Sequence, residues 1–333
     1  MDPAVARMPI RQANPAADRH PLVAVTGARG LVGDAVTRQL GEAGFAVRRL
    51  SRSRLPEGEL PSAILPPFDA PNETFEKVLA GAAHVVHAAA LTNADPTASE
   101  ADFMNANARL TGRLAAATHR VVPGRFILIS SIRAVAGQGF TGSIGASTTP
   151  APSCPYGRSK RAGEIAASEM FGNSANRLTI LRPAPVYGPG MKGNLGRLLR
   201  LARMRCPLPI AGLTSLRSLV DVEALARAVI HAVSAPAPIG GTYVVSDREP
   251  VTIPQIMAAF RSGMGRPPGL FYLPRPLLEG IASFSRQRQA LRGMYAGEIC
   301  DPSALEDTGW IATENSINGL MALARTPLDG ARS

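Results

Sequence analysis

The octet Thr26-Gly27-Ala28-Arg29-Gly30-Leu31-Val32-Gly33 constrains this chain more than any other stretch. It follows an apolar run, Leu22-Val23-Ala24-Val25, which reads as a short buried strand, and it leads into a helix-like stretch over residues 34–43. Strand, tight glycine turn and helix make up the phosphate-binding corner of a dinucleotide fold. Glycines let the backbone turn sharply and approach a pyrophosphate closely. Free N–H groups at the helix start then face the anion. The spacing here is Gly-x-x-Gly-x-x-Gly rather than the more general Gly-x-Gly-x-x-Gly.

Downstream, strands and helices alternate. Strands are expected at 46–50, 63–67, 84–90, 125–130 and 178–182, with helices at 74–79, 100–120 and 155–171. This alternation predicts an α/β fold, a Rossmann-type doubly wound parallel sheet, with right-handed crossovers. The second half is less regular. Helices are expected at 195–205, 222–234, 254–264 and 276–284, with a strand at 242–246 and prolines at the joins. It reads as a smaller, mostly helical C-terminal substrate lobe over the carboxyl edge of the sheet. The expected division is a disordered tail over 1–20, a dinucleotide-binding domain over 21–185 and a substrate lobe over 186–330, interleaved with it.

Net charge is +11 and unevenly placed. Residues 103–163 hold eight Lys or Arg and no acid, and residues 170–220 hold another eight and no acid. Such segments would draw an anionic substrate. Nucleic acid is a weaker fit, because aromatics make up only 5% and base stacking needs them. The longest uncharged segment, 134–157, is rich in Gly, Ser, Thr and Pro, so no integral membrane association is expected. The first twenty residues lack the apolar block of a secretory signal. Cys154, Cys206 and Cys300 are far apart, so neither a metal site nor a disulfide framework follows. A reducing cytoplasmic setting fits these features.

Pro155-Tyr156-Gly157-Arg158-Ser159-Lys160 is the second signal. Tyr156 and Lys160 are four apart at a helix start and share one face. An ammonium beside a phenol favours the phenolate, which would make Tyr156 a usable general base. Ser131 ends the apolar strand Phe126-Ile127-Leu128-Ile129-Ser130-Ser131, and the carboxyl end of a parallel strand faces the ligand crevice. Its hydroxyl could bind the same substrate oxygen as Tyr156.

With these residues in place, the chain resembles the extended short-chain dehydrogenase/reductase family, from about residue 22 to 323. It is most similar to the nucleotide-sugar branch that includes UDP-galactose 4-epimerase and 4-ketosugar reductases. The resemblance makes Ser131, Tyr156 and Lys160 the catalytic triad. It implies cofactor contacts from Gly27, Arg29, Gly30, Leu31, Val32 and Gly33. Further contacts would come from Ser51, Arg52, Asp69, Ala88, Ala89, Ala90, Asn107, Tyr156, Lys160, Pro183 and Val186. Pro183 and Val186 would lie near the nicotinamide and Asp69 near the adenine. Asn194 and Leu195 fall in the segment that would hold UDP phosphates, Pro209 near the uracil, and Arg217 on the pyrophosphate. Ser131 also touches substrate in this scheme. One of Arg286, Arg288 and Arg292 would add a phosphate contact, and Trp310 reads as core.

One departure bears on the cofactor. NAD-preferring relatives end the second strand in an acid that binds the ribose 2′-hydroxyl. Here Val47-Arg48-Arg49-Leu50-Ser51-Arg52 contains none, and no acid appears until Glu57. NADP is therefore expected at least as readily as NAD. Arg48, Arg49, Arg52 and Arg54 put positive charge nearby, although strand alternation turns some of them away. The expected activity is NAD(P)-dependent chemistry at C4 of a UDP-hexose, as a 4-epimerase or a 4-ketosugar reductase, with a homodimer possible. The alternatives are a reductase of a non-nucleotide carbonyl, of steroid or hydroxy-ketone type, and a non-catalytic NADP-binding regulatory protein.

Overall fold

A computed structural model describes residues 20–53, 60–92, 97–137, 140, 142–284 and 295–325. The first half runs β1 (Leu22–Thr26), α1 (Leu31–Glu42), β2 (Ala46–Ser51), β3 (Ser62–Ile64), α2 (Asn72–Leu79) and β4 (His84–His87). A long helical stretch follows as α3 (Glu100–Phe103), a π-helical turn (Met104–Arg109) and α4 (Leu110–Val121). Then come β5 (Phe126–Ile129), the two-residue β6 (Ser143–Ile144), α5 (Pro155–Phe171) and β7 (Leu178–Pro183). The second half continues with β8 (Val186–Tyr187), α6 (Gly193–Ala202), β9 (Val220–Asp221), α7 (Val222–Ser234) and β10 (Gly241–Val245). It goes on through α8 (Ile253–Gly263), α9 (Arg275–Phe284) and β11 (Ile299–Cys300) to short helices at Ser303–Glu306 and Ile317–Arg325.

Seven strands form one sheet in the order β3-β2-β1-β4-β5-β7-β10, and every pairing in it is parallel. Chain order reverses between β1 and β4. The crevice outside their carboxyl ends is therefore where a doubly wound sheet binds its ligand. The strand read within the second half pairs with β7 as an edge of this main sheet, from Gly241 opposite Thr179 to Val245 opposite Pro183.

The central strands are buried on both faces, as a parallel sheet requires. β5 and β7 have no exposed residue. Alternate side chains enter different cores. Val23, Val25, Val86 and Ile127 pack with α1 and α7 on one face. Ala24, Val85, Phe126 and Leu128 pack on the other with Phe75, Leu114 and Phe171, from α2, α4 and α5. A separate cluster joins Leu195 and Leu199 of α6 to Ile256 and Phe260 of α8, with Tyr187 and Leu320.

Helix α5 shows how local sequence and packing agree. Its N-cap is Cys154, whose sulfur accepts from Gly157 N–H at 3.3 Å, and Pro155 occupies the first turn, where no N–H is needed. It stops at Gly172, whose φ of +36° ends the helix. The π-helical turn inside the 100–121 stretch has no counterpart in the apolar periodicity. It places Asn107 inward, and that residue is almost fully buried. The short pairs β6–β11 and β8–β9 and the Ile317–Arg325 helix are also additions to the sequence reading.

Candidate active site

The glycine turn is built as the spacing predicts. Gly27 has φ +71°, and a Cβ there would lie 2.6 Å from the backbone N of Ala89. A Cβ on Gly33 would lie 2.1 Å from the carbonyl oxygen of Gly27. Only glycine lets these backbone segments stack. Gly30 caps α1 in an extended conformation with no side-chain hydrogen bond, and Leu31 and Val32 begin the helix. The helix thus presents uncapped first-turn N–H groups at the crevice, a cradle that fits a pyrophosphate.

At the end of β2 the arginines separate into two groups. Arg48 donates to the carbonyls of Val78 (3.0 Å) and Ala80 (2.8 Å), and Arg49 to that of Leu60 (3.2 Å). Both are taken up by backbone and do not face a ribose. Arg52 is exposed. Arg29, from the glycine turn, reaches across to Ser53 Oγ at 3.0 Å, and Ser51 Oγ donates to the carbonyl of Ser53. Arg29, Ser51 and Ser53 therefore gather at the carboxyl end of β2, next to the exposed Arg52, without a carboxylate among them. Arg54 and Glu57 lie outside the described residues.

The remaining cofactor candidates line the same crevice or brace it. Ala88, Ala89 and Ala90 follow β4, and Ala88 N donates to the Thr26 carbonyl at 3.3 Å. Pro183 ends β7 and Val186 begins β8, while Asp69 sits exposed in the turn after β3. Asn107 acts as a brace. Its side chain accepts from Leu91 N–H (2.8 Å) and donates to the Leu91 carbonyl (2.9 Å) and Ser159 Oγ (3.0 Å). Ser159 in turn donates to the Tyr156 carbonyl at 2.8 Å.

Ser131 follows the carboxyl end of β5, and Tyr156 and Lys160 lie one turn apart at the start of α5. The Ser131 hydroxyl acts on the half-buried Tyr156 phenol and pulls its pKa down. Phe103 stacks edge-on against the tyrosine ring, with centroids 6.1 Å apart. Lys160 is buried and donates to the Ile129 carbonyl at 2.7 Å. Burial pulls its pKa down to about 8, against an upward pull from Glu164. The expectation that Lys160 makes the phenol acidic is corrected here. Burial dominates at Tyr156 and raises its pKa, and the Ser131 hydroxyl only partly offsets this.

Two buried networks were not read from the sequence. Glu164 is wholly buried, one turn beyond Lys160. It accepts from Arg182 through both oxygens (Nε–Oε1 2.8 Å, Nη2–Oε2 2.7 Å), from Ser130 Oγ (2.6 Å) and from Arg161 (3.0 Å). These partners hold its carboxyl below the usual range despite burial. Ser130 precedes the triad serine, so the network ties α5, β5 and β7 together directly behind the site. The second network links Thr26 Oγ1 to His87 Nδ1 (2.7 Å) and His87 Nε2 to Thr111 Oγ1 (3.0 Å). Burial, helped by the Lys160 charge, takes His87 down to about 3, so it is neutral. The spacing of Tyr156, Lys160 and Glu164, four apart each time, was the available signal for the first network.

On the substrate side, Arg133 pairs with both oxygens of Glu298, its Nη2 lying 2.7 Å from Oε2. Arg217 is half-buried, donates to the Ala296 carbonyl at 3.1 Å and feels the Glu298 charge. Beside them opens a cleft of about 580 Å³, lined among others by Phe140, Leu216, Tyr295 and Ile299. Asn194 is exposed at the start of α6, and Pro209 is half-buried. Leu195 points into the second-half core instead, because α6 packs through its apolar face. Trp310 is core, as expected. Arg286, Arg288 and Arg292 lie outside the described residues. No helix among the described residues is long and apolar enough to cross a membrane.

Comparison with known proteins agrees with this geometry. Residues 23–246 match the NAD dependent epimerase/dehydratase family. A UDP-glucose 4-epimerase of Vibrio cholerae is 30% identical over 209 residues, 61% of this chain. That match spans 63% of the Vibrio enzyme's length, less than two thirds of it. A ceramide reductase of Caulobacter vibrioides is 30% identical over 270 residues, 78% of this chain and 76% of that protein. Among solved structures, a human epimerase family protein with NADPH superposes at a TM-score of 0.71 with 20% identity, covering 91% of this chain and 99% of its own.

Proposed function

Because the chain belongs to the NAD dependent epimerase/dehydratase family, we propose that it is an NAD(P)-dependent enzyme acting at C4 of a UDP-hexose, as a 4-epimerase or a 4-ketosugar reductase. The observation that carries this is Ser131 beside Tyr156 after β5, with Lys160 anchored to the Ile129 carbonyl and the glycine turn uncapped at the start of α1. A bound nicotinamide would accept or supply the hydride. The chain's own residues do the rest. Gly27, Gly30 and Gly33 with the start of α1 hold the pyrophosphate. Ser131 orients the C4 oxygen. Tyr156 exchanges a proton with that oxygen, and Lys160 supplies positive charge beside the phenol and the ribose. The relative from Vibrio cholerae supports the sugar-nucleotide substrate. The two segments of unbroken basic character and Arg217 suit a pyrophosphate.

One feature supports reduction over epimerisation. Arg29 and Arg52, beside Ser51 and Ser53 at the end of β2, suit the 2′-phosphate of exchangeable NADPH. A second reading, reduction of a non-nucleotide carbonyl, is favoured by the ceramide reductase relative, which shares more of the chain. It uses the same triad on a different substrate. A non-catalytic NADP-binding role has no such support. A homodimer is part of the proposal, and light scattering on the purified protein tests it.

The deciding experiment screens UDP-sugars, their 4-keto forms and non-nucleotide ketones with NADH and NADPH, using wild type and Tyr156→Phe. Turnover of a UDP-sugar that vanishes in the variant, with dinucleotide binding retained, supports the proposal. Turnover of ketones alone moves the substrate class to the second reading. Unchanged activity in Tyr156→Phe removes the catalytic assignment.

A further inference from the structure

The positive charge of the chain concentrates on one ridge of the second half. Residues 197–211 carry Arg197, Arg200, Arg203 and Arg205, and residues 264–278 carry Arg266 and Arg275, and neither segment contains an acid. The rest of the chain has 30 basic and 25 acidic residues, so more than half of the net charge sits in these two stretches. They are joined in space. Phe271 N donates to the Leu208 carbonyl (3.0 Å), Leu208 N to that of Gly269 (3.0 Å) and Ala211 N to that of Phe271 (3.1 Å). Arg266 donates to the Arg203 carbonyl at 2.7 Å. The buried guanidinium of Arg261 pins both sides, donating to the carbonyls of Cys206 (2.8 Å) and Pro268 (2.6 Å).

This ridge also exposes large apolar side chains. Relative exposure is 52% at Met204, 45% at Phe271, 69% at Tyr272 and 58% at Leu277. Leu208, Ile210 and Leu278 of the same segments already face inward and complete the local core. The outward residues stand outside that core, and an exposed apolar cluster rimmed by charge marks an interaction surface.

We propose that this ridge docks on an anionic lipid bilayer, with Met204, Phe271, Tyr272 and Leu277 entering the boundary between headgroups and acyl chains and Arg197, Arg200, Arg203, Arg205 and Arg266 meeting lipid phosphates. The inference goes beyond the proposed function and holds whichever substrate the site takes. Charge complementarity selects the partner. A second copy of the chain would oppose these five arginines to five. Single-stranded nucleic acid wants stacking rings along a groove, whereas half of these apolar side chains are aliphatic. Glu279, paired with Arg275 at 2.7 Å, is the first carboxylate beyond the ridge.

The test is co-sedimentation of the full chain with vesicles at physiological ionic strength. Vesicles of equimolar phosphatidylglycerol and phosphatidylcholine should carry the protein down, and phosphatidylcholine alone should not. Tyr272→Ser with Leu277→Ser should weaken binding about tenfold or more through lost apolar contact. Arg205→Ala with Arg266→Ala should weaken it about twenty-five-fold, near fivefold per charge. All four positions lie outside the triad and the glycine turn, and NADPH should still raise the melting temperature of each variant as it does for wild type. Absence of binding to the anionic vesicles overturns the proposal. So does binding indifferent to the Tyr272 and Leu277 changes, or a single-stranded oligonucleotide that displaces the vesicles by binding the same residues.

Discussion

Glu164→Gln tests whether the network behind Lys160 sets both stability and the charge of the site. The substitution keeps shape and leaves Arg182, which is almost fully buried, facing a neutral amide. Breaking a buried pair by removing one charge costs about 3–5 kcal/mol. At roughly 2 °C per kcal/mol for a chain larger than most single domains, the melting temperature should fall by about 6–10 °C. The pH dependence has a definite sign. Glu164 is held below its usual range in the folded state, so its contribution is present above the unfolded carboxylate pKa and lost as pH falls through the folded value. The gap between wild type and variant should therefore close in strong acid. The same carboxylate pulls the Lys160 pKa up against burial, which leaves it at about 8. Without it the ammonium loses its proton at lower pH, and the basic limb of the activity profile should move to lower pH. Glu164→Asp keeps the charge and should return the limb towards wild type even if the melting temperature stays low. Scanning calorimetry and initial rates across pH decide the matter. A melting temperature within 2 °C of wild type at neutral pH, or an unmoved basic limb, would refute the reasoning.

Two further outcomes follow from the ends of the crevice. Arg29→Ala should weaken NADPH about tenfold or more and leave NADH nearly unchanged, since a charge-assisted hydrogen bond is worth about 1.5–3 kcal/mol; Arg52→Asp should reverse the preference, and fluorescence titration with both dinucleotides measures it. UDP at submillimolar concentration should raise the melting temperature, because a ligand of the native state stabilises it. Arg217→Ala should abolish most of that protection without affecting NADPH, and protection by another nucleoside diphosphate in place of UDP would relocate the substrate class.

Local signals were enough for the sheet, for α5 and for the glycine turn. An apolar run before Gly27 has one economical use, and Pro155 marks the start of α5 as Gly172 marks its end. What only the tertiary structure decided are facts about contacts between distant segments. The strand near 242 reads the same whether it lies in a lobe or in the sheet. Its place beside β7 depends on the crossover through α7. Arg48 and Arg49 put positive charge near the expected ribose end, and only the fold shows the carbonyls of Val78, Ala80 and Leu60 taking them up. Arg29 reaches Ser53 because the turn lies next to the end of β2. Leu195 sat in a segment expected to touch substrate, yet the apolar face of α6 turned it into core. Tyr156 and Lys160 could be placed on one helical face from their spacing, but not the sign of the tyrosine's shift. That sign depends on how far Phe103 and the rest of the fold shield the half-buried phenol from water, and desolvation is a property of the assembled fold that no four-residue spacing encodes.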